Sequence, residues 1–403
     1  MDLSLKTRIG NPMTYLVLMF ISLSSLNLIN RYFYFIFIAV ILFCLNSNRK
    51  LHFDIYPLSM LLLLSLSWTF FSPESSYSLL GMIKTLTYLL CYVVGNSMIE
   101  DDLDYAENNT PYSLFYWTVM AIALGAFVHY LLNWISNLSY GSRNTVDIWS
   151  GSEMAATGQA AMACIPLGLA IACLFFKNSI KIKLAAIITV ILVLGYNLVL
   201  SGRTLIIMFL IITAVAFSHR FLRVKKGRMR VVVLLLAVIL LLLFVYQANI
   251  LGIRSYIEDS PLYERFFAEN SQTELDEDNR DIKKQYFLKN MLSYPWGGMH
   301  MREEMGYAHD IFLDTYDEAG IFALLGMVIY ILISVYHMFK CVSDETLSFG
   351  FRQIVLCVYV ICYIEFMVEP ILQGMPWLFA SFCLIDGYVS RIISHNKLVN
   401  RRG

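Results

Sequence analysis

Charged residues are scarce in this chain of 403 residues, at 15% Asp, Glu, Lys and Arg, whereas an average soluble protein has roughly 25%. The hydrophobic fraction is 58% and the mean hydropathy is +0.62. A soluble core cannot bury so much apolar surface, so the composition predicts an all-α membrane protein that crosses the bilayer many times. The chain has no excess of positive charge, because its 30 Lys and Arg residues are balanced by 30 Asp and Glu residues. A nucleic-acid partner is therefore not indicated.

Several motifs of soluble enzymes are missing as well. The eight cysteines include no pair with the CxxC spacing, and nearly all of them lie within apolar runs. Disulfides and metal ligation are therefore poorer interpretations than apolar side chains buried in the membrane. The chain has no glycine-rich loop for nucleotide phosphates and no evident internal repeat. Neither ATP-driven work nor a cofactor is expected.

Long apolar runs are abundant. A helix that crosses a bilayer needs about 20 mostly apolar residues. Runs near this length predict about twelve transmembrane helices: 12–29, 31–47, 56–71, 76–99, 112–136, 152–176, 180–199, 201–218, 230–248, 318–338, 351–370 and 374–390. Lys6 and Arg8 precede the first run and no small-residue cleavage site follows it, so we expect a retained first helix rather than a removed signal peptide.

The distribution of positive charge predicts the orientation. With the N-terminus in the cytoplasm, most Lys and Arg fall in cytoplasmic segments: Arg49 and Lys50; Lys177, Lys181 and Lys183; Arg220, Arg223, Lys225, Lys226, Arg228 and Arg230; Arg391, Lys397, Arg401 and Arg402. The outer loops are poor in both residues apart from one long segment, and long loops are exempt from the positive-inside rule. One inner loop, 100–109, is acidic and does not follow the pattern. The balance still predicts that both termini are cytoplasmic.

The long segment to which the positive-inside rule does not apply, 249–317, divides the chain into three parts. Residues 1–248 hold nine predicted transmembrane helices, 249–317 form an extracytoplasmic loop, and 318–403 hold three more helices and a cytoplasmic tail. Together with the adjacent Glu318, the loop carries fifteen of the thirty acidic residues. We therefore expect the chemistry of this protein to lie in or beside this loop.

Short helices are predicted within the loop. Asp278 and Asn279 are suited to cap a helix that begins near Arg280, and this helix should end before Pro295. A second helix should begin near His309 and continue into the tenth transmembrane helix, with three carboxylates on one face: Asp310, Asp314 and Asp317.

Two arginines and a histidine on the extracytoplasmic side are the candidates for chemistry. Arg203 opens the eighth transmembrane helix, and Arg280 and His309 open the two loop helices. Arginine binds phosphate oxygens through a rigid fork and stays charged, whereas histidine exchanges a proton near neutral pH. The combination suits a transferase that holds a pyrophosphate leaving group and activates a hydroxyl without a metal.

Structural interpretations of the same residues remain open. Arg203 would also serve as an interfacial anchor or as a partner of Glu365 or Glu369. Arg280 would pair with acidic neighbours in the loop, and His309 would be an ordinary surface histidine. Two further intramembrane charges, Lys84 and Asp386, either mark a functional site or hold helices together. No strong zinc spacing is formed by the histidines and acids of the loop: His300, Glu303, Glu304 and His309.

Short motifs give the chain a resemblance to one family. They are Ser-Gly-Arg-Thr at 201–204, Asn-Arg at 279–280, Tyr-Pro-Trp-Gly-Gly at 294–298, His-Asp at 309–310 and Glu-Ala-Gly-Ile at 318–321. In these motifs and in its arrangement of helices the chain resembles the O-antigen polymerase and O-antigen ligase superfamily. It departs from that pattern in having Asp310 where the family usually has Asn, and Tyr294 where an Asn often precedes the proline.

The resemblance implies a fold and an activity. The fold would be GT-C-like, with about twelve transmembrane helices and one long extracytoplasmic loop containing short helices. The enzyme would transfer a glycan from undecaprenyl pyrophosphate to an acceptor hydroxyl, at the periplasmic face of the bacterial inner membrane. Arg203 and Arg280 would bind the pyrophosphate, and His309 would act as the base. Trp296 and Tyr294 would stack on sugar rings, although interfacial anchoring explains these aromatic residues equally well.

Several activities remain possible within and outside this family. A polymerase, which lengthens the glycan on its lipid carrier and works with a chain-length regulator in some systems, is favoured because both motif asparagines are replaced. A ligase would move the finished glycan to the lipid A core, and a capsule or exopolysaccharide polymerase would share the same motifs. Twelve helices would also suit a flippase or another transporter, but the chain shows no half-repeat of the kind that transporters often have.

Overall fold

The computed structural model describes most of the chain as helices. The described residues are 12–45, 51–73, 79–99, 110–138, 145–176, 178–223, 244, 246–260, 262–263 and 280–402. Within them the helices of eight residues or more, numbered in chain order with the shorter ones, are α1 Pro12–Ser25, α2 Tyr32–Leu45, α3 Ile55–Phe71, α4 Leu79–Ser97, α5 Thr110–Ser136, α6 Ala156–Phe175, α7 Ile180–Leu200, α8 Arg203–Arg223, α10 Arg280–Asn290, α12 Ile311–Ser343, α13 Phe349–Phe366 and α15 Pro376–Arg402.

Shorter elements join these helices. They are the helices α9 Ile253–Glu258, α11 His300–Met305 and α14 Ile371–Gly374, the 3₁₀ turns Leu28–Asn30, Ile250–Gly252 and Met291–Ser293, and the strands β1 Thr145–Val146 and β2 Glu153–Met154. The two strands pair antiparallel as a small hairpin. The described part of the chain is thus nearly all-α.

Seven of the described helices are long and apolar enough to cross a membrane: Pro111–Ser136, Ala156–Phe175, Ile180–Leu200, Arg203–Arg223, Ile311–Ser343, Phe349–Phe366 and Pro376–Asn396. Apolar helices α1, α2 and α3 are shorter, with 10–17 residues each. On α7 and α8, Ile188, Ile191 and Leu210 are more than half exposed. An exposed apolar surface of this extent requires lipid around it, so the chain is a multi-pass membrane protein.

Close backbone contacts hold the centre of the bundle together. A Cβ atom on Gly95 of α4 would lie 2.0 Å from the Leu384 carbonyl oxygen of α15, and one on Gly387 would lie 2.2 Å from the Tyr92 carbonyl oxygen. Small residues let helix backbones approach in this way, and packing of this kind stabilises helix pairs in membranes, where apolar burial adds little. Helices α4 and α15 therefore form one rigid pair in the core.

The two ends of the bundle differ in charge. At one end, Arg220 donates to the Phe175 carbonyl, Arg223 pairs with Glu345, and Arg391 contacts His52. These arginines belong to segments that the charge distribution predicts to be cytoplasmic. The loops that precede α2, α6 and α12 lie at the opposite end.

A break in α12 fixes the geometry of that opposite end. Gly320 has φ +77° and ψ −168°, which interrupts the helix. Three backbone hydrogen bonds to the turn at 295–299 satisfy the groups that the break frees: Ile321 N to Pro295 O at 2.9 Å, Met299 N to Asp317 O at 2.8 Å and Gly298 N to Glu318 O at 3.4 Å. The two motifs at 294–298 and 318–321 are thus the two halves of one tertiary joint.

The joint also requires glycine for steric reasons. A Cβ atom on Gly320 would lie 2.6 Å from the Trp296 carbonyl carbon, and one on Gly297 would lie 2.7 Å from the Gly320 nitrogen. Both residues also have positive φ, a conformation that glycine adopts without strain. Two glycines are therefore needed where the backbones meet.

The predicted loop helices are confirmed where the structure describes them. Helix α10 covers Arg280–Asn290, where the described residues resume at Arg280, and it ends before Pro295, as predicted. Helix α12 begins at Ile311, with Asp310 as its N-cap, and it continues through 317–318 into the tenth predicted transmembrane helix, as predicted. The predicted cap at Asp278 and Asn279, the inner loop 100–109 and most of the predicted helix 230–248 lie outside the described residues.

The cysteines occupy apolar surroundings, as the sequence predicts. Seven of the eight are buried free thiols, and Cys44 is exposed. Asp386 has the contacts expected of a residue that holds helices together, because its carboxylate accepts a hydrogen bond from Tyr359 and contacts His337, both at 2.9 Å. These three buried side chains join α12, α13 and α15.

The joint at Gly320 allows a test of the fold. We expect Gly320→Ala to destabilise the protein through backbone strain of about 1–3 kcal/mol and an additional overpacking cost of about 1–3 kcal/mol. Gly252→Ala is the matched control, because Gly252 also has positive φ but has no atom within 4 Å of the added methyl group. Thermal unfolding of the two purified variants in detergent measures the stability of each. Equal losses of stability in the two variants would contradict the steric role of the joint.

Candidate functional site

Backbone hydrogen bonds place His309 at the start of α12. The Asp314 carboxylate accepts from Ala308 N at 2.8 Å and from Asp310 N at 3.0 Å. The Asp310 carboxylate in turn caps the helix by accepting from Phe312 N at 3.0 Å. Because hydrogen bonds fix the residues on both sides of it, His309 adopts φ +55°. This conformation is uncommon for residues other than glycine. The local fold therefore sets the direction of the imidazole.

The imidazole points to a glutamate on another element. His309 Nδ1 lies 3.8 Å from Glu369 Oε1, which belongs to the segment between α13 and α14. Arg280 Nη2 lies 3.8 Å from the same oxygen, and Arg280 Nη1 donates to Val368 O at 3.2 Å. The structure thus brings Arg280 and His309 together on one carboxylate, although they are far apart in the chain.

A second cation on α10 docks this helix in place. Lys284 lies one turn after Arg280, and its Nζ is 3.4 Å from Asp310 Oδ2 and 3.4 Å from Met367 O. Helix α10 is therefore attached both to the cap of α12 and to the end of α13. The Asp310 that replaces the usual asparagine of the resembled family has its own partner here, and that partner is Lys284 rather than His309.

A second carboxylate lies one turn before Glu369. Glu365 is fully buried at the end of α13 and lies beside the thiol of Cys164. Glu369 is 7% exposed. Burial of two carboxylates beside a guanidinium is favourable only when the charges compensate one another. Arg280 therefore contributes to the fold of this end.

A polar cavity of about 540 Å³ opens beside this cluster. Glu369 forms part of its wall, as do Tyr307 and the segment 370–376. The other lining residues come from the loop between α1 and α2, from Lys84 of α4, and from the hairpin of β1 and β2. Its charged lining residues have both signs: Arg31, Lys84, Asp147, Glu153 and Glu369. The carboxylate that contacts Arg280 and His309 thus faces a space large enough for a sugar or a phosphate group.

Arg203 lies at the same end of the bundle. It begins α8 directly after Ser201, which has φ +56°, and Gly202. Asn197 Nδ2 donates to the Gly202 carbonyl at 2.8 Å, and a Cβ atom on Gly202 would lie 3.8 Å from the Ala156 Cβ. Helix α6 begins at Ala156, next to cavity residues Ala155 and Gly158. The turn before Arg203 is therefore packed against the cavity-side end of α6.

The two candidate stacking aromatics belong to the joint at Gly320. Trp296 is about half exposed and stacks on Phe71 of α3, with ring centroids 5.2 Å apart, and also contacts Phe322. Tyr294 stacks on His300 at 4.7 Å. Neither Trp296 nor Tyr294 is among the cavity residues. Their contacts are those of an anchor between the turn, α3 and α12.

A buried hydrogen bond between His129 and Asp147 holds the hairpin against α5. His129 Nε2 lies 2.7 Å from Asp147 Oδ2, and the other Asp147 oxygen accepts from Trp149 N, Ser150 N and Ser150 Oγ at 2.7–3.0 Å. Burial opposes ionisation of Asp147, but the hydrogen bonds from His129 and Ser150 outweigh it and hold the pKa of this carboxyl well below its usual range. Asp147 therefore sets one wall of the cavity.

The sequence does not indicate that some of these residues belong to one site. Glu369 was suggested only as a partner of Arg203, and Lys84 only as an isolated intramembrane charge. Arg31 and Asp147 lie in loops that resemble ordinary solvent-exposed connections. Only the approach of four separate segments reveals that these residues share a cavity.

Comparison with known proteins adds no assignment, because no model of a protein family and no curated protein matches the chain.

The lowered pKa of Asp147 predicts a pH-dependent contribution to stability. Because the pKa of Asp147 is lowered in the folded state, its charge stabilises the fold above the unfolded-state pKa of about 3.9 and this contribution is lost as the pH falls below that value. We expect Asp147→Asn to cost about 1–3 kcal/mol at neutral pH. The difference in free energy of unfolding between Asp147→Asn and wild type should become smaller as the pH falls from about 5 to about 3.

Unfolding midpoints of the purified protein across this pH range test the prediction. Glu153→Gln is the control, because Glu153 is an exposed carboxylate on the same hairpin. It should change the midpoint little at any pH. A gap between Asp147→Asn and wild type that stays constant down to about pH 3 would contradict the role of the charge.

Proposed function

We propose that this protein is a membrane glycosyltransferase that polymerises a bacterial surface polysaccharide. In this proposal, the glycan of an undecaprenyl pyrophosphate donor is transferred to a hydroxyl of an acceptor repeat unit. The supporting observation is that Arg280 and His309, the two loop residues singled out for this chemistry, both lie 3.8 Å from Glu369 at a polar cavity. The motifs shared with the O-antigen polymerase and ligase superfamily supply the substrate class.

The arrangement suits a base assisted by a carboxylate. His309 would take the proton of the acceptor hydroxyl as the oxygen attacks the anomeric carbon. Glu369, 3.8 Å from Nδ1, would stabilise the imidazolium that forms, as an acidic residue does for the histidine of a catalytic triad. The bond to the pyrophosphate oxygen breaks in the same step, most simply with inversion.

The arginines would act on the leaving group. Negative charge grows on the departing pyrophosphate, and cations placed at that position stabilise the transition state more than the ground state. Arg280 already lies beside the cavity wall, and Arg203 lies at the same end of the bundle. Release of Arg280 from Glu369 on donor binding would leave Glu369 free to act with His309.

The orientation in the membrane is part of the proposal. Helices α6, α8 and α12 begin at the cavity end, and Arg220, Arg223 and Arg391 lie at the opposite end. The positive-inside rule would place that end in the cytoplasm. The cavity and the cluster at Glu369 would then face the periplasm, in an inner-membrane protein of about twelve transmembrane helices.

Complementation of a deletion strain tests the function. We expect wild type to restore a polysaccharide ladder on gels, and the deletion to leave the lipid A core with one repeat unit. Arg280→Ala, Arg203→Ala and His309→Ala should each lose most of the ladder, since a general base alone contributes roughly 10²–10⁴-fold. Arg254→Ala is the control, because Arg254 is an exposed cation paired with Glu258.

Other outcomes point to other activities. A deletion that leaves bare core, with long glycan on the lipid carrier, identifies a ligase. Lipid-linked units stranded on the inner leaflet identify a transporter. A normal ladder from all three alanine variants, at normal protein levels, contradicts the assigned site whichever activity is found.

The contact between His309 and Glu369 gives a sharper test. We expect Glu369→Gln to reduce transfer in a wild-type background, because the imidazolium loses its counter-charge. In a His309→Ala background the same change should have little further effect, since residues that act as one unit are not additive. The test is to measure initial rates of glycan transfer in membranes that contain wild type, each single variant or the double variant. Independent, multiplicative effects would show that Glu369 does not act through His309.

A further inference from the structure

We propose that the C-terminal half of α10 and the turn after it lie in the membrane interface at the cavity end of the bundle, with Leu288, Leu292 and Trp296 inserted among the lipids. By sequence, these residues belong to a soluble loop between transmembrane helices. The partner of this surface is the bilayer that surrounds those helices. The inference goes beyond the proposed function and does not depend on it.

The first observation is the pattern of exposure along α10. Phe287 is fully buried against α11 and α12, so the opposite side of α10 is the exposed one. Leu288 is more than half exposed, and Leu292, at 82%, is the most exposed large hydrophobic residue that the structure describes. In chain order, the exposed residues of α10 and the 3₁₀ turn after it are Asp281, Ile282, Gln285, Leu288, Lys289, Leu292 and Ser293. The large apolar side chains thus become more exposed towards the end of the helix.

The second observation is the level at which this end of α10 lies. The Trp296 ring stacks on Phe71 with centroids 5.2 Å apart, and its centroid is 5.9 Å from that of Phe322. Phe71 is the last residue of α3, and Phe322 follows the break of α12 at Gly320. Trp296 is itself about half exposed. Tryptophan is enriched where transmembrane helices meet the interface, because its indole has an apolar body and a polar N–H group.

The exposed apolar surface continues from Trp296 onto these two helices. At helical spacings of three and four residues, which keep side chains on one face, α3 exposes Leu62, Leu66 and Phe70, and α12 exposes Phe322, Leu325, Ile329 and Leu332. These faces require lipid for the same reason as those of α7 and α8. The turn at 291–296 therefore borders a surface that lipid covers.

Contacts at both ends hold α10 along the end of the bundle. Near its start, Arg280 and Lys284 donate to the carbonyls of Val368 and Met367, just after α13. The helix has eleven residues and is about 16 Å long, and the turn that follows it packs on α3 and α12 through Trp296. A helix held in this way lies across the bundle rather than projecting into water.

The remaining exposed charge fits an interface as well. Lys289 lies between Leu288 and Leu292, and its side chain is exposed. A lysine at this depth would lay its apolar stem along the lipid and extend its ammonium group to headgroup phosphates. A protein partner would cover the two leucines, but it would not explain their continuity with faces that lipid covers. The bilayer accounts for both features.

Spin labels on the full-length protein test the inference. Leu288→Cys and Leu292→Cys are each made in a Cys44→Ser background, because the other seven thiols are buried. The labelled proteins are reconstituted in vesicles of phosphatidylethanolamine and phosphatidylglycerol. Power-saturation EPR then measures collisions of the label with O₂, which concentrates in the bilayer, and with a water-soluble nickel chelate. We expect both labels to collide more with O₂ than with the nickel chelate.

Two matched sites calibrate the measurement. Leu332→Cys, on the exposed face of α12, should favour O₂ strongly. Asp281→Cys, in the first turn of α10 and also exposed, should favour the nickel chelate. The labels at 288 and 292 should resemble the first site more than the second. Unfolding midpoints show that each labelled protein is folded, and the two independent positions guard against a local effect of one label.

Two results would overturn the inference. Nickel accessibility at 288 and 292 equal to that at 281 identifies a solvated loop. Low collision rates with both reagents show that protein, such as a second copy of this chain, covers the leucines. Because no glycan transfer is measured, either result leaves the test of the proposed function untouched.

Discussion

The joint between Gly320 and the turn at 295–299 is the constraint on which the cavity end depends. A helix break in a membrane protein leaves backbone donors and acceptors that lipid cannot satisfy. Here the turn supplies those partners through three backbone hydrogen bonds, and two glycines let the chains approach. The joint sets where the first turns of α12 lie, and those turns carry the carboxylates that hold His309. A site built on backbone hydrogen bonds is more rigid than one built on a free loop.

Electrostatic compensation is the second organising feature. Near the joint, the buried Glu318 is paired with Arg302 at 3.0 Å and accepts from Ser72. Farther along, Glu369 contacts both Arg280 and His309. Because unpaired buried charge is costly, these contacts stabilise the fold, yet they also keep ionisable groups next to a polar space. Stability and candidate chemistry therefore rest on the same side chains, which is why substitutions at this end need a stability measurement beside an activity measurement.

The sequence predicted the local elements of this end well. The end of α10 before Pro295 follows from the proline rule, and α12 begins within two residues of its predicted start. The continuous helix across 317–318 was predicted, but the burial of its acidic residues was not. Asp314 and Asp317 accept backbone hydrogen bonds from other segments rather than forming an exposed acidic face. Hydropathy alone does not distinguish a solvated acid from one that caps a neighbouring turn.

By itself, the sequence determined that this is a helical, multi-pass membrane protein and that Arg203, Arg280 and His309 are its candidate reactive residues. Those conclusions depend on composition, periodicity and motif spacing, which act over one or two helices. Tertiary structure alone decided that Glu369 lies between Arg280 and His309, and that Arg31, Lys84 and Asp147 share a cavity with it. The physical reason is that each of these residues is contributed by a different segment, and only helix packing determines which segments meet.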